Sequence, residues 1–174
     1  MDKNLLIVGV GIYGLVAKEI AESMNCFSKI SFIDDEARAC PHKLPLLGTT
    51  DDLPNLAKEY HCIVVAIGNP EIRRNLTDKI EKIPGLALTS LISPRAYVAP
   101  SARIDKGCII EPMAVVNAGA ALGKETFVCA GAVVNHGATC AAFVQVDCNA
   151  TVAGNTFVPE GVKVVSGSVF HARY

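Results

Sequence analysis

The spacing of hydrophobic positions changes partway along this chain. Up to about residue 92, short apolar runs alternate with stretches of helical period. Residues 4–8, 30–33 and 62–67 read as buried strands, and 86–91 as a last short one. Leu15, Val16, Ile20 and Ala21 recur at helical spacing over 14–24, and 52–60 and 70–82 read as further helices. Strands interleaved with helices predict βαβ units on a parallel sheet.

From Ala96 to Arg173 the period is six, with no insertion over thirteen hexads. The third residue of every hexad is apolar, from Val98, Ile104 and Ile110 through to Phe170. The first is nearly always Ala, Cys, Thr, Ser or Val, and the sixth is Gly in six of the thirteen. A fixed short period of this kind marks a parallel β-helix. Each hexad supplies one short flat strand and a corner. The third residue fills the narrow interior, the first must be small to fit beside it, and glycine eases the turn. Three hexads close a triangular coil, so residues eighteen apart stack. The pattern predicts a left-handed β-helix, an exception to the right-handed crossover rule. The expected organisation is an α/β Rossmann-like domain over 1–92 followed by the β-helix over 93–174.

This register singles out His136, the fifth residue of the hexad AVVNHG. Eighteen residues on is Gly154 and eighteen back is Ala118, so the imidazole is expected on a corner with room beside it for a ligand. Asn117 and Asn135 stack in the adjacent column, where they can form an amide ladder. The outward second positions on the same face are Tyr97, Val115, Val133, Thr151 and Val169. The other faces carry Arg103, Gln145 and Lys163 at such positions. An apolar exterior stripe marks an interaction surface, and a closed homotrimer is the natural assembly for a triangular prism. His136 would then lie near a subunit boundary.

Composition narrows the picture without redirecting it. Hydrophobic residues make up 51% of the chain and charged residues 19%, which supports a sizeable core. A formal charge of −1 with no block of like charges argues against a nucleic-acid partner or an anionic membrane surface. No apolar run has the length of a signal peptide or a membrane span, so the expected location is cytoplasmic. The seven cysteines contain no CxxC pair and read as reduced thiols serving as small apolar residues. His171 lies thirty-five residues from His136, one short of two coils, so no stacked zinc site is expected.

The first predicted strand runs into Gly9-Val10-Gly11-Ile12-Tyr13-Gly14, which opens a helix. Such a loop brings backbone N–H groups and a helix N-terminus up to a pyrophosphate. Asp34, twenty residues beyond Gly14, stands where a carboxylate can accept ribose hydroxyls. Too few residues precede the repeat for both halves of a dinucleotide-binding domain, so a nucleotide other than NAD fits better. Packing alone could also require these glycines. Ile67-Gly68-Asn69-Pro70 forms a second loop that can complete the crevice. Arg73 and Arg74 follow, either reaching into that crevice or lying on a solvated helix face.

Taken together these stretches resemble the bacterial sialic acid O-acetyltransferase and UDP-amino-sugar N-acetyltransferase family of left-handed β-helix acyltransferases. The likeness covers GVGIYG, Phe32-Ile33-Asp34-Asp35, Leu46-Leu47-Gly48 before Asp51-Asp52-Leu53, and Ala66-Ile67-Gly68-Asn69. It continues through Leu91-Ile92-Ser93-Pro94 and Val133-Val134-Asn135-His136. The resemblance implies a trimer whose N-terminal domain holds a nucleotide-activated sugar and whose β-helix holds acetyl-CoA as co-substrate between subunits. It implies substrate contacts from Gly9, Gly11, Ile12, Tyr13, Gly14, Asp34, Asp35, Gly68 and Asn69. It makes His136 the general base, with acetyl-CoA contacts from Gln145 and from Gly154, whose N–H would steady the oxyanion. No metal is implied.

Three positions depart from the family pattern. Many relatives carry an acidic residue after the histidine, where it orients the ring; here it is Gly137. A backbone carbonyl or a neighbouring subunit would then have to hold the tautomer. Gln145 stands where some relatives have a second histidine, and relatives usually continue for several more hexads and a capping segment past the position of Tyr174. The expected activity is acetyl transfer to an amino or hydroxyl group of a nucleotide-linked sugar. The alternatives are a catalytically impaired nucleotide-sugar-binding protein of the same fold, an NAD-dependent oxidoreductase, or a purely structural trimer.

Overall fold

The structure is a computed structural model that describes residues 3–36 and 44–171. Cys40 and the end of the thirteenth hexad lie outside the described residues. The chain forms two compact units, residues 1–89 and 90–174.

The first unit is built on a parallel sheet. In chain order its elements are β1 (Asn4–Val8), α1 (Ile12–Met24), β2 (Lys29–Ile33), β3 (Leu46–Gly48), α2 (Leu53–Leu56), β4 (Cys62–Val65), α3 (Pro70–Ile80) and β5 (Ala87–Leu88). The sheet order is β3-β2-β1-β4-β5, which makes the β1/β4 junction the point where strand order reverses. Ligand crevices in open α/β sheets form outside the strand C-termini at such a point. Leu5, Leu6, Ile7 and Val8 are all buried, as expected of a central strand covered on both faces. One side of the core gathers Leu6, Val8, Ile33, Ile63 and Val65 against Leu53, Tyr60 and Ile80.

Two elements differ from the sequence reading. The edge strand β3 was not anticipated, and the expected 52–60 helix is a 3-10 turn over Thr50–Asp52 followed by the single turn of α2. Thr49 and Asp52 start that turn with a reciprocal capping box. Tyr60 ends the segment: it is fully buried, and its hydroxyl donates to Ser31 on β2, tying the chain to the sheet. No described helix is long and apolar enough to cross a membrane.

The second unit is a left-handed β-helix. The expected 86–91 strand is split, because β5 pairs with β4 whereas β6 (Leu91–Ile92) pairs with Ile109–Ile110. An additional hexad, residues 90–95, therefore precedes the thirteen read from the sequence. One face stacks Tyr97–Val98, Val115–Val116, Val133–Val134, Thr151–Val152 and Val169–Phe170 at a constant eighteen-residue register. First and third positions form one continuous interior, including Ala114, Val116, Ala132, Val134, Ala150 and Val152. Each fully buried valine of this interior contributes about 1.5–3 kcal/mol. From Gly107 to Gly167 every sixth position adopts the left-handed conformation whether or not it is glycine: Met113, Glu125, Phe143, Asn149 and Asn155 do so as well, whereas Ser101 in the first hexad does not. Along that stretch the corner geometry sets the conformation, and glycine only relieves its cost.

Two interior thiols give the β-helix a testable pH dependence. Burial pushes both Cys108 and Cys140 from the ordinary 9.0 up to about 12. Between those values the unfolded chain sheds protons that the folded chain keeps. Stability is therefore expected to fall with rising pH, by about 1.4 kcal/mol per pH unit for each thiol. Melting curves at about pH 8 to about pH 11 check this against Cys108→Ala/Cys140→Val. The double variant should lose melting temperature more slowly as pH rises; parallel slopes would rule the thiols out as the cause.

Candidate active site

The corner after Val133–Val134 is held by its neighbours in the stack. Gly137 N–H donates to Ala118 O at 3.0 Å, and Asn155 N–H donates to His136 O at 2.9 Å. With its backbone fixed from the coils on both sides, His136 projects its ring to the exterior. A Cβ placed on Gly154 would lie 2.8 Å from both Cε1 and Nε2 of that ring. The imidazole thus rests directly on the bare backbone of Gly154, the neighbour expected from the eighteen-residue stack.

The other side of the ring meets Asn135. Asn135 Oδ1 lies 3.0 Å from His136 Nδ1 and accepts the His136 backbone N–H at 2.8 Å. Asn117 Nδ2 donates to the same oxygen at 3.2 Å, so the anticipated amide ladder exists and ends at the imidazole. Gly137 has a φ of +64°, but Asn155 occupies a similar φ of 54°, so conformation alone does not demand glycine there. The steric reason is Asn155 Oδ1, which fills the place a Cβ on Gly137 would take. An acidic side chain at 137 would therefore have to displace the Asn155 amide.

Gln145 belongs to the face opposite this corner, paired with Phe127 and Lys163. Its side chain is buried, and its Nε2 donates to Asp147 Oδ1 at 3.3 Å. Within one chain, then, His136 and Gly154 come together and Gln145 does not join them.

The first unit brings two loops to the C-terminal edge of its sheet. A Cβ on Gly14 would collide with the carbonyl oxygen of Gly9, and one on Gly9 would come within 3.0 Å of Ala66 O. Close approach of α1 to β1 and β4 thus requires glycine at these positions. Gly11 is the N-cap of α1, no side chain caps it, and the first turn holds no acidic residue. This leaves an N-terminus suited to an anion. Ile12 is exposed beside it, and the ring of Tyr13 packs on Gly68, 3.2 Å from a Cβ placed there.

The polar residues assigned to this crevice also have structural partners. Asp34 Oδ2 accepts Val10 N–H at 2.9 Å and its Oδ1 accepts Glu36 N–H at 2.8 Å, so Asp34 secures the glycine loop. Asp35 accepts both the N–H and the hydroxyl of Thr50, at 2.7 and 2.8 Å. Asn69 caps α3, its Oδ1 accepting from Glu71 and Ile72 N–H groups. Carboxylate oxygens keep further lone pairs and the Asn69 amide keeps its NH2, so acceptor and donor capacity remains at each. Arg73 is neither a solvated residue nor one reaching into the crevice. It is buried, and its Nη1 donates to the carbonyls of Ile67 and Gly68 at 2.8 and 3.1 Å, pinning the second loop.

Residues 4–80 match the PglD N-terminal domain family. No curated protein matches the chain. The acetyltransferase domain of PglB from Neisseria gonorrhoeae FA1090, solved in complex with acetyl coenzyme A, shares 34% identity, covering 97% of this chain and 82% of its own, with a TM-score of 0.91. Perosamine N-acetyltransferase from Caulobacter crescentus, solved as a histidine variant with CoA and GDP-perosamine, shares 22% identity over 95% of this chain and 90% of its own, with a TM-score of 0.70. WeeI from Acinetobacter baumannii AYE shares 16% identity over 96% and 88%, with a TM-score of 0.66. The last two speak for the fold alone. The first, by its identity and coverage, speaks for descent: the chain belongs to the β-helix nucleotide-sugar acetyltransferase family.

Proposed function

We propose that the protein transfers the acetyl group of acetyl-CoA to an amino or hydroxyl group of a nucleotide-linked sugar, with His136 as general base. The observation that carries this reading is the imidazole seated on Gly154, exposed on its outer side and held by Asn135 on its inner one. The acceptor nitrogen or oxygen attacks the thioester carbonyl. Its new bond to carbon forms as the carbon–sulfur bond breaks, and the CoA thiolate leaves. The acceptor's proton passes to the His136 ring and from there to the thiolate. A neutral imidazole suits this exchange near pH 7.

The glycine loop and the uncapped N-terminus of α1 support a role in holding the sugar nucleotide's phosphates. Asp34, Asp35, Gly68 and Asn69 would line the same crevice. The outward column Tyr97, Val115, Val133, Thr151 and Val169 is apolar apart from the threonine, and its ends are exposed, which supports a homotrimer packed through this face. Acetyl-CoA would then lie between neighbouring subunits, near Gly154 of one and Gln145 of the next.

The test is release of free thiol from acetyl-CoA against a panel of UDP- and GDP-linked amino sugars and their hydroxyl counterparts. Sustained release with one acceptor is the expected result. Sugar-nucleotide binding by calorimetry without release from any acceptor would refute the transferase and leave a binding protein.

A further inference from the structure

We infer that Asn135 is the positioning residue for His136: it fixes the imidazole as the Nδ1–H tautomer and thereby leaves the Nε2 lone pair free. The inference rests on His136 being the base. It follows from one atom whose identity the backbone settles. A backbone N–H can only donate, so the Asn135 side-chain atom 2.8 Å from His136 N is the acceptor Oδ1 and not the amide nitrogen. Asn117 Nδ2 donates to that atom too, so the ladder and the backbone agree on the orientation. An acceptor oxygen 3.0 Å from Nδ1 holds it only if Nδ1 carries the proton. In the neutral ring the second nitrogen is then unprotonated, as a base requires. Nε2 is also one of the two ring atoms nearest Gly154, on the side away from Asn135.

The same geometry removes the need for an acidic residue at 137. Asn155 Oδ1 occupies the space beside Gly137, and the acceptor for Nδ1 comes instead from the residue before the histidine. Asn117 acts one step further back, holding the Asn135 amide. A ladder that could have been structural only is, at this rung, an orienting device for the ring.

The experiment combines spectroscopy with kinetics on the full chain. Nitrogen-15 NMR of histidine-labelled protein, at a pH where the ring is neutral, distinguishes Nδ1–H from Nε2–H by the two ring-nitrogen shifts. With four histidines in the chain, the His136→Ala spectrum assigns the signal. Wild type should show Nδ1–H, Asn135→Ala a mixture of both tautomers, and Asn135→Asp, which keeps an acceptor oxygen, a return to Nδ1–H. In thiol-release assays Asn135→Ala should lower kcat by about ten- to a hundredfold with KM little changed, because only correctly poised rings turn over. Asn135→Asp should recover most of that loss. An Nε2–H ring in wild type, or an Asn135→Ala spectrum unchanged from it, would overturn the inference. The expected spectra with no thiol release from wild type on any acceptor would leave the positioning intact and refute the transferase reading.

Discussion

Replacing His136 with alanine is expected to lower kcat by about 10²- to 10⁴-fold, the range for loss of a general base. Binding of acetyl-CoA and of the sugar nucleotide should change little. The ring is exposed, its hydrogen bond is to Asn135, and its packing is against Gly154, so nothing in the β-helix interior depends on it. Melting temperature should accordingly stay close to wild type. The loss should appear in kcat more than in KM because proton acceptance matters only as the acceptor attacks, and an interaction made only then does not report on ground-state binding. Steady-state thiol release and calorimetry on the same preparation check both halves. A fall in turnover of less than about threefold would be too small for a base and would return His136 to the status of a corner residue.

The β-helix was legible because its interior is narrow and repeats one requirement. Every third position must be apolar and every first position small, so the register announces itself, and with it the neighbours eighteen residues away. His136 on Gly154 follows directly from that register. What Asn135 and Asn155 do does not follow, because each depends on a rotamer: one side chain turns back to the next residue's ring, the other fills the place of a Cβ on Gly137. The only advance signal was two asparagines in one column beside the histidine.

In the first unit the glycine loop could be read because strand, loop and helix are contiguous. The partners of Asp34 and Asp35, the Val10 N–H and Thr50, lie 24 and 15 residues away, and sequence spacing does not reveal such pairings. Strand β3 has three residues at an exposed sheet edge and no alternation to betray it. Arg73 ran against the ordinary expectation that arginine stays at the surface. Its burial is explained only once the carbonyls of Ile67 and Gly68 are seen to need a donor.

Gly154→Ala should separate activity from stability more cleanly than any other change at the site. The added methyl would come within 2.8 Å of Cε1 and Nε2 of His136, closer than carbon tolerates, so one of the two must move. The partner in this clash is not backbone but the end of an exposed side chain, and the imidazole can swing outward at little cost to the fold. Gly154 is not among the positive-φ glycines, so alanine suits its backbone and restricts the unfolded chain. Stability should therefore hold or rise by about 0.4–1 kcal/mol. Turnover should fall by about a hundredfold, because a displaced ring loses its bond to Asn135 and its reach to the acceptor, and misplacement by about 1 Å costs that much. Gly137→Ala makes a useful contrast: its φ of +64° and the adjacent Asn155 amide predict a loss of stability as well. Melting curves and thiol release measured together decide the matter. If Gly154→Ala keeps wild-type turnover, the ring does not act from its seat on Gly154, and the base must be sought in another rotamer of His136 or in another residue.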